Sequence, residues 1–203
     1  MDGTGETKGE RTRRRLLELA VRRFADEGYR ATSVSAIARD AGISQAAVYA
    51  YFANKEALFE AAVDLDAAGL IAGARAQMDE SLPLVDFIPG LLLHLRLGVE
   101  EHRLARRVLA GQEPEVIHRV ADLPALRDIT AELADDLREE QASNGVAAGL
   151  DVGDLAVGVE TVVLSLLMSA VQVPVEADKR IDGIVAVFQA LFRSSPGQDP
   201  LGG

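Results

Sequence analysis

Residues 32–58 read TSVSAIARDAGISQAAVYAYFANKEAL, and this stretch decides the fold. Thr32 and Ser33 offer N-cap oxygens for a short helix whose apolar residues recur at helical spacing. Gly42 is placed to end that helix, and Ser44 is placed to cap the next one. The pattern therefore predicts two short helices that are joined by a tight turn.

The flanking residues predict one longer helix on each side of this pair. Upstream, apolar residues at helical spacing indicate a helix from about Arg11 to Glu27, which Gly28 would end. Downstream, Asn54 is placed to cap a helix that begins at Lys55. The second helix of the central pair is expected to cover residues 45–52.

Residues 11–60 resemble the N-terminal domain of the TetR family of transcriptional regulators. The resemblance is carried by the I-A-x-x-A-G-I-S turn, by Y-x-Y-F at the end of the second short helix, and by N-K-E-A-L at the start of the next. The upstream segment FADEGY also fits. The resemblance implies a helix-turn-helix domain that binds double-stranded operator DNA.

A recognition helix must enter the major groove, so its exposed face needs short side chains. This requirement is met by Ser44, Gln45, Ala46, Ala47 and Ala50. Gln45 is the candidate for reading a base, because its amide can pair with N6 and N7 of adenine. The adjacent alanines, Ala46 and Ala47, are placed to lie against thymine methyl groups. Related sequences often carry a larger side chain at position 50, so we expect few polar base contacts.

Contacts to the DNA backbone follow from the resemblance. It assigns phosphate contacts to Tyr49 and Lys55, and to Thr32 and Ser33 through hydroxyls or helix-terminal amides. Tyr51 either joins these contacts or faces the core. A basic cluster at the start of the first helix is expected to meet the backbone or a minor groove, although a solvated charged face is the alternative. The cluster comprises Arg11, Arg13, Arg14 and Arg15.

The charge of the chain is unevenly distributed. The net charge is −11, which by itself argues against a nucleic-acid partner. Residues 8–55, however, carry ten Lys and Arg against five Asp and Glu, whereas residues 56–203 carry eleven against twenty-five. A basic N-terminal region can therefore face a phosphate backbone while the acidic remainder stays away from it.

Helical periodicity continues through the rest of the chain, and strict strand-like alternation is missing, so we predict an all-α protein. The predicted domains are a flexible tail (1–10), a three-helix DNA-binding domain (11–55), a larger helical ligand-binding and dimerisation domain (56–193) and a disordered tail (194–203). Pro89-Gly90 is expected to bend or split a helix. Asn144-Gly145 indicates a turn, and Pro174 separates the last two helices.

The last two predicted helices are the candidate interface of a homodimer. Both are strongly apolar, and four such helices from two chains would form a bundle. Burial in the core of a large monomer is the alternative. The interface residues that we predict are Val162, Leu166, Ile184, Phe188 and Leu191.

By analogy with the family, the middle helices enclose a pocket for a small-molecule effector. Its candidate lining residues are Phe87, Leu91, His94 and Met168. His94 lies in LLLHLRL and is either a polar group in an apolar pocket or an ordinary core or boundary histidine. The aliphatic composition favours a lipophilic effector. The family's common habit is repression, which we expect to be relieved by this effector; an activator or a protein–protein adaptor is the alternative.

Several other classes of function find little support. The chain has no cysteine, its three histidines show no metal-binding spacing, and it lacks a nucleophile motif, so we expect no metal, no cofactor and no catalysis. We see no secretory signal and expect a cytoplasmic protein. Residues 155–173 are nearly continuously apolar, but their interspersed polar residues favour burial between helices over membrane insertion.

Overall fold

The computed structural model describes residues 7–79, 81–114, 116, 120, 122–143, 149–175 and 179–186. Within these ranges the chain is helical and no residue lies in a strand, which confirms the predicted all-α class. Residues 179–186 are helical as well and are called α9 below. The preceding helices are α1 (Lys8–Ala31), α2 (Val34–Ala41), α3 (Gln45–Tyr49), α4 (Lys55–Arg75), α5 (Leu84–Gly98), α6 (Arg103–Leu109), α7 (Pro124–Ala142) and α8 (Val152–Gln172).

The chain divides into two compact units. The first contains the residues up to 70 together with residues 99–120, and the second contains residues 71–98 and the residues from 121 onward. The first unit therefore adds α6 and most of α4 to the three N-terminal helices. The division at residue 55 that the sequence indicated stays a prediction.

The core of the first unit is built where α1 meets the helices around it. Phe24 of α1 and Phe59 of α4 are fully buried, and their ring centroids lie 4.7 Å apart in an edge-to-face arrangement. The Tyr29 ring lies 4.8 Å from that of Phe59. Ile37 of α2 and Leu104 of α6 are also fully buried. This core fixes α1, against which α2 packs.

Helix α1 begins three residues earlier than the sequence pattern predicted. The Thr7 hydroxyl accepts a hydrogen bond from the Glu10 N–H (3.2 Å), and the Glu10 carboxylate accepts one from the Thr7 N–H (2.7 Å). The bond from the Thr7 N–H, aided by the Thr7 hydroxyl, holds the pKa of the Glu10 carboxyl below its usual value. The reciprocal pair is a capping box, which satisfies two N–H groups at the start of a helix. The cap thus places the start of α1 at Lys8, and the predicted tail 1–10 stays a prediction.

The other end of α1 contains a break at Gly28. Its φ of 80° and ψ of 169° are not helical, and helical geometry resumes afterwards up to Ala31. The sequence predicted that Gly28 would end this helix. The positive φ is one that glycine adopts readily, but it produces a kink within the helix and not its end. The last turn of α1 therefore points away from the path of the preceding turns.

The second unit has its own apolar core. It combines residues of α5, α7 and α8 that are all buried: Leu84, Ile88, Ala134, Leu137, Ala156 and Val159. Pro89 lies inside α5 and does not split it, contrary to one of the two outcomes that the sequence allowed. Because Ile88 and Leu92 on either side of Pro89 are buried, their packing offsets the hydrogen bond that proline cannot donate.

Helix α8 ends just before Pro174, which the sequence predicted to separate the last two helices. The Asp151 carboxylate caps it by accepting the Asp154 N–H at 3.0 Å, and Pro174 follows its end. The predicted turn at Asn144-Gly145 and the predicted tail 194–203 lie outside the described residues, as does the last helix beyond residue 186.

Candidate nucleic-acid interface

The turn between α2 and α3 is formed by local hydrogen bonds. Ser33 caps α2 by accepting the Ala36 N–H at 3.2 Å, and Ser44 caps α3 by accepting the Ala47 N–H at 3.1 Å. Gly42 ends α2 in the left-handed conformation (φ 71°, ψ 29°), which a side chain disfavours. All three predicted roles are confirmed, and they set the direction in which α3 leaves the turn.

Helix α3 has one buried side and one exposed side. Val48 is fully buried, and Phe52 just beyond the helix is nearly so. The helix is shorter than predicted: it ends at Tyr49, and Tyr51 donates its N–H to the Val48 carbonyl (2.9 Å) in a tight turn towards α4. The short side chains lie on the other side as expected, where Ser44, Gln45, Ala46 and Ala50 are exposed and Ala47 is half-buried.

Gln45 and Tyr49 lie one turn apart on the exposed side of α3. Tyr49 is 44% exposed, which is high for an aromatic residue in a folded domain. The Gln45 Nε2 lies 3.4 Å from the Tyr49 hydroxyl, so the contact between them is a long hydrogen bond. A bond of this length is easily exchanged for one to a base edge, so the Gln45 amide is available for recognition. Tyr51 is half-buried, which leaves both of its predicted roles open.

Two cationic side chains make cation–π contacts beside α3 and α4. The Arg13 guanidinium lies 5.1 Å from the centroid of the Phe52 ring, and the Lys55 Nζ lies 4.4 Å from that of the Tyr29 ring. Lys55 also donates to the Arg30 carbonyl at 3.5 Å. Such contacts restrict the rotamers of long side chains. The Arg13 charge is consequently held beside Phe52, which follows α3, and the Lys55 charge beside the end of α1.

The other residues of the predicted basic cluster are exposed. Arg11, Arg14 and Arg15 lie on the outside of α1. Arg14 is 3.9 Å from Glu18, a distance at which an exposed pair contributes little. These side chains are thus accessible from the solvent.

Thr32 has a structural role within the chain. The residue is only 2% exposed. Its hydroxyl donates to the Gly28 carbonyl at 2.8 Å, and its N–H points to the same oxygen at 3.3 Å. Both groups are therefore satisfied within the chain, and the phosphate contact of Thr32 stays a prediction. Ser33 is exposed and keeps its predicted place.

An ion pair that the sequence did not reveal links α1 to α2. Arg23 donates from Nε to Asp40 and from Nη1 to Glu27, both at 2.6 Å. The Arg23 guanidinium holds the pKa of the Asp40 carboxyl below its usual value. The pair neutralises an acidic residue of α2 that would otherwise repel a phosphate backbone.

Two acidic residues in the first unit were also missed, the half-buried Asp66 and the buried Glu113. The Asp66 Oδ2 accepts the Leu104 N–H (3.0 Å) and the Ala105 N–H (2.9 Å), and its Oδ1 lies 3.0 Å from the His102 Nδ1. Asp66 thereby caps α6. Glu113 is 3% exposed and accepts the Tyr29 N–H. These partners are 36 to 84 residues apart in the chain, and sequence periodicity gives no signal for them.

The predicted effector pocket draws on two helices that contact each other. Phe87, Leu91 and His94 lie on α5 and Met168 lies on α8. Leu91 is buried and the other three are half-buried. Among the described residues there is no group of three or more potential metal ligands.

Helix α8 is buried on one side only within a single chain. Val162, Leu166 and Ile184, which we predicted for a dimer interface, are half-buried, while Phe188 and Leu191 lie outside the described residues. The more exposed side of α8 contains Val157, Gly158, Thr161 and Ser165. By length and composition α8 could cross a membrane. Only 17% of its most apolar segment is buried within this chain, so most of that segment is not fully covered by the chain itself. An exposed apolar side equally suits a partner helix.

Comparison with known proteins supports the resemblance. Residues 16–62 match the model of the family described as "Bacterial regulatory proteins, tetR family". The chain is 32% identical over 109 residues to the HTH-type transcriptional repressor KstR2 of Mycolicibacterium smegmatis, covering 54% of this chain and 51% of that protein. It is 41% identical over 54 residues to the HTH-type transcriptional regulator YdgC of Bacillus subtilis, covering 27% and 28%. The chain thus spans about half or less of these relatives' length.

Solved structures show the same fold over nearly the whole chain. The crystal structure of a TetR-family transcriptional regulator from Mesorhizobium loti superposes with a TM-score of 0.63 at 23% identity, covering 91% of this chain and 98% of that one. At this identity the likeness concerns the fold. The match to the family of bacterial regulatory proteins concerns residues 16–62, which contain the helix-turn-helix formed by α2 and α3, and the likeness to the solved structure extends the shared fold to 91% of the chain.

Proposed function

We propose that this protein is a transcriptional regulator that binds operator DNA by placing α3 in the major groove. The observation that carries the proposal is the exposed side of α3, where Ser44, Ala46 and Ala50 leave room for a groove wall and Gln45 extends beyond them. A glutamine amide can pair with both N6 and N7 of adenine, so Gln45 is the proposed base-reading residue. The alanines would pack against thymine methyl groups.

The side chains around α3 suit contacts to the two flanking phosphate backbones. Tyr49 is exposed on α3, Ser33 lies at the start of α2, and Lys55 and Arg13 are held on aromatic rings. The predicted phosphate contacts that we retain also include Arg11, Arg14 and Tyr51. We do not retain Thr32, because it is buried. Contacts of this kind give affinity and position the protein without reading bases.

We further propose that the protein binds DNA as a homodimer that is formed through α8 and α9. A single five-residue recognition helix buries too little surface for tight and selective binding, whereas a dimer binds two half-sites. The exposed side of α8 combines the apolar Val157 with the small residues Gly158 and Ser165. Such a surface lets a second helix approach closely. Symmetry would then produce a palindromic operator.

Repression that is relieved by a small molecule is the mode of action that we propose. The family relative KstR2 is named a transcriptional repressor, which supports this direction. The effector would bind among Phe87, Leu91, His94 and Met168, where aliphatic and aromatic side chains favour a lipophilic molecule. Release requires that the effector bind more tightly to the state that does not fit the operator. Action on chromosomal DNA implies a cytoplasmic protein.

Selection of bound sequences from random duplex DNA with the purified protein tests the proposal. We expect an enriched palindrome whose half-site centres lie about one helical turn or a multiple of it apart. Binding should weaken steeply as salt rises, because each phosphate contact releases counterions. Failure to enrich any sequence, with weak and salt-insensitive binding, would favour the adaptor alternative. Small molecules can then be screened for release of the selected operator.

A further inference from the structure

Glu113 is a buried carboxylate in the segment that follows α6. It is 3% exposed, and its partners Arg107 and Tyr29 belong, like Glu113 itself, to the first unit. Its Oε1 accepts from the Nε and Nη2 of Arg107, both at 2.8 Å, and its Oε2 accepts the Tyr29 N–H at 3.1 Å. One side chain therefore joins α6 to the last turn of α1 through a backbone group.

The Tyr29 N–H is available to Glu113 because of the kink at Gly28. In an uninterrupted helix this N–H would donate to the carbonyl four residues earlier. The φ of 80° and ψ of 169° at Gly28 turn the following peptide out of that path. The space around Gly28 is also filled, since a Cβ there would lie 2.6 Å from the Arg107 Nη2 and 2.9 Å from the Glu113 Oε1. Glycine and the carboxylate thus depend on each other.

Tyr29 continues the connection towards the DNA-binding surface. Its ring lies 4.8 Å from that of Phe59 and carries the Lys55 Nζ at 4.4 Å. Lys55 also donates to the carbonyl of Arg30, the residue next to Tyr29. Both contacts of Lys55 would shift if the backbone at residues 29 and 30 moved.

We propose that Glu113 is a positioning residue for DNA binding, which acts by fixing the Tyr29 backbone and thereby the Lys55 ammonium group. The proposal rests on the function proposed above, in which Lys55 contacts a phosphate. A buried ion pair contributes little net stability compared with apolar side chains of the same size. A pair of apolar side chains in place of Arg107 and Glu113 would fill the space but could not accept the Tyr29 N–H. Such a substitution therefore distinguishes a positioning role of Glu113 from a packing role.

The test replaces both partners of the buried pair with methionine (Arg107→Met with Glu113→Met). The matched control makes the same change in the exposed pair Arg106 and Glu100, whose Nε and Oε1 lie 3.0 Å apart. We expect both variants to melt near the wild-type temperature. Only the Arg107/Glu113 variant should lose hydrogen-exchange protection at the Tyr29 amide and bind DNA about tenfold more weakly. The loss should be equal for the selected operator and for random duplex, as for a phosphate contact.

Two further variants make the test decisive. Glu113→Gln keeps an oxygen that can accept the Tyr29 N–H, so its affinity should fall between those of the wild type and the double variant. In a Lys55→Ala background the double substitution should change affinity by less than about twofold, because the contact that it displaces is already gone. An equally large loss with and without Lys55, or unchanged affinity despite an unprotected Tyr29 amide, would overturn the proposal. A wild-type protein that binds no duplex would instead overturn the proposed function itself.

Discussion

Three glycines provide a sharp test of the backbone geometry around the DNA-binding motif. Gly28 has positive φ and filled space around it, Gly42 has positive φ and open space, and Gly73 lies exposed within α4 with open space. Alanine at each position therefore isolates a different contribution. The three substitutions should rank in stability as Gly73→Ala, then Gly42→Ala, then Gly28→Ala.

The magnitudes follow from the local geometry. At Gly73 alanine removes the entropic cost of glycine in a helix, so we expect a gain of about 0.5–1 kcal/mol. At Gly42 the left-handed conformation costs alanine about 1–2 kcal/mol. Alanine also lowers the conformational entropy of the unfolded chain, and this effect offsets part of that cost. The net cost should be about 1 kcal/mol. At Gly28 a backbone region that is reserved for glycine and two contacts below 3.0 Å should together cost about 2–4 kcal/mol.

Urea unfolding followed by circular dichroism at 222 nm measures these differences. All variants must be compared at one protein concentration, because association raises apparent stability. A Gly28→Ala protein as stable as Gly42→Ala would refute the kinked geometry at Gly28, and with it the route from Glu113 to Tyr29. A destabilised Gly73→Ala protein would refute the open, helical environment at that position.

Three further predictions concern charge, phosphate contact and association. Asp40→Asn should destabilise the protein at neutral pH but not at low pH, as unfolding measured at several pH values would show. The Asp40 carboxyl has a lowered pKa in the folded state, so its contribution is complete above the ordinary aspartate pKa of about 4 and disappears as pH falls through the folded-state pKa. Lys55→Ala should weaken binding to operator and random duplex alike and reduce the slope of log K against log salt by about one, as titrations at several salt concentrations would show. Gly158→Glu introduces a side chain into open space and replaces glycine with a better helix former, so the stability of the single chain should not fall. If α8 meets a second copy there, sedimentation should show a monomer. A dimer as tight as that of the wild type would place the interface elsewhere.

Local signals in the sequence predicted the DNA-binding motif well. Ser33, Gly42 and Ser44 were assigned correct roles because caps and left-handed glycines depend on residues within four positions. The alternation of buried and exposed residues on α2 and α3 followed for the same reason. The early start of α1 was missed although its capping box is local, since the polar composition of residues 1–10 suggested a tail.

Contacts between distant segments could not be predicted in this way. Glu113 and Tyr29 are 84 residues apart, and nothing in either neighbourhood indicates the other. The resemblance that assigns Thr32 a phosphate contact gave no sign that its hydroxyl is satisfied inside the chain by the carbonyl of Gly28. Both cases involve the kink at Gly28. Glu113 accepts the Tyr29 N–H that follows the kink, and Thr32 donates to the carbonyl of Gly28 itself.

The central claim is that α3 reads DNA sequence, and binding of the wild type and of Gln45→Ala to two duplexes tests it most directly. The duplexes are the selected operator and a scrambled version of it, titrated at the same salt concentration. The account predicts that Gln45→Ala loses about 1–3 kcal/mol of binding free energy on the operator, relaxes the preference at one base pair of each half-site and leaves binding to the scrambled duplex unchanged. An equal loss on both duplexes, or no loss on either, would contradict it.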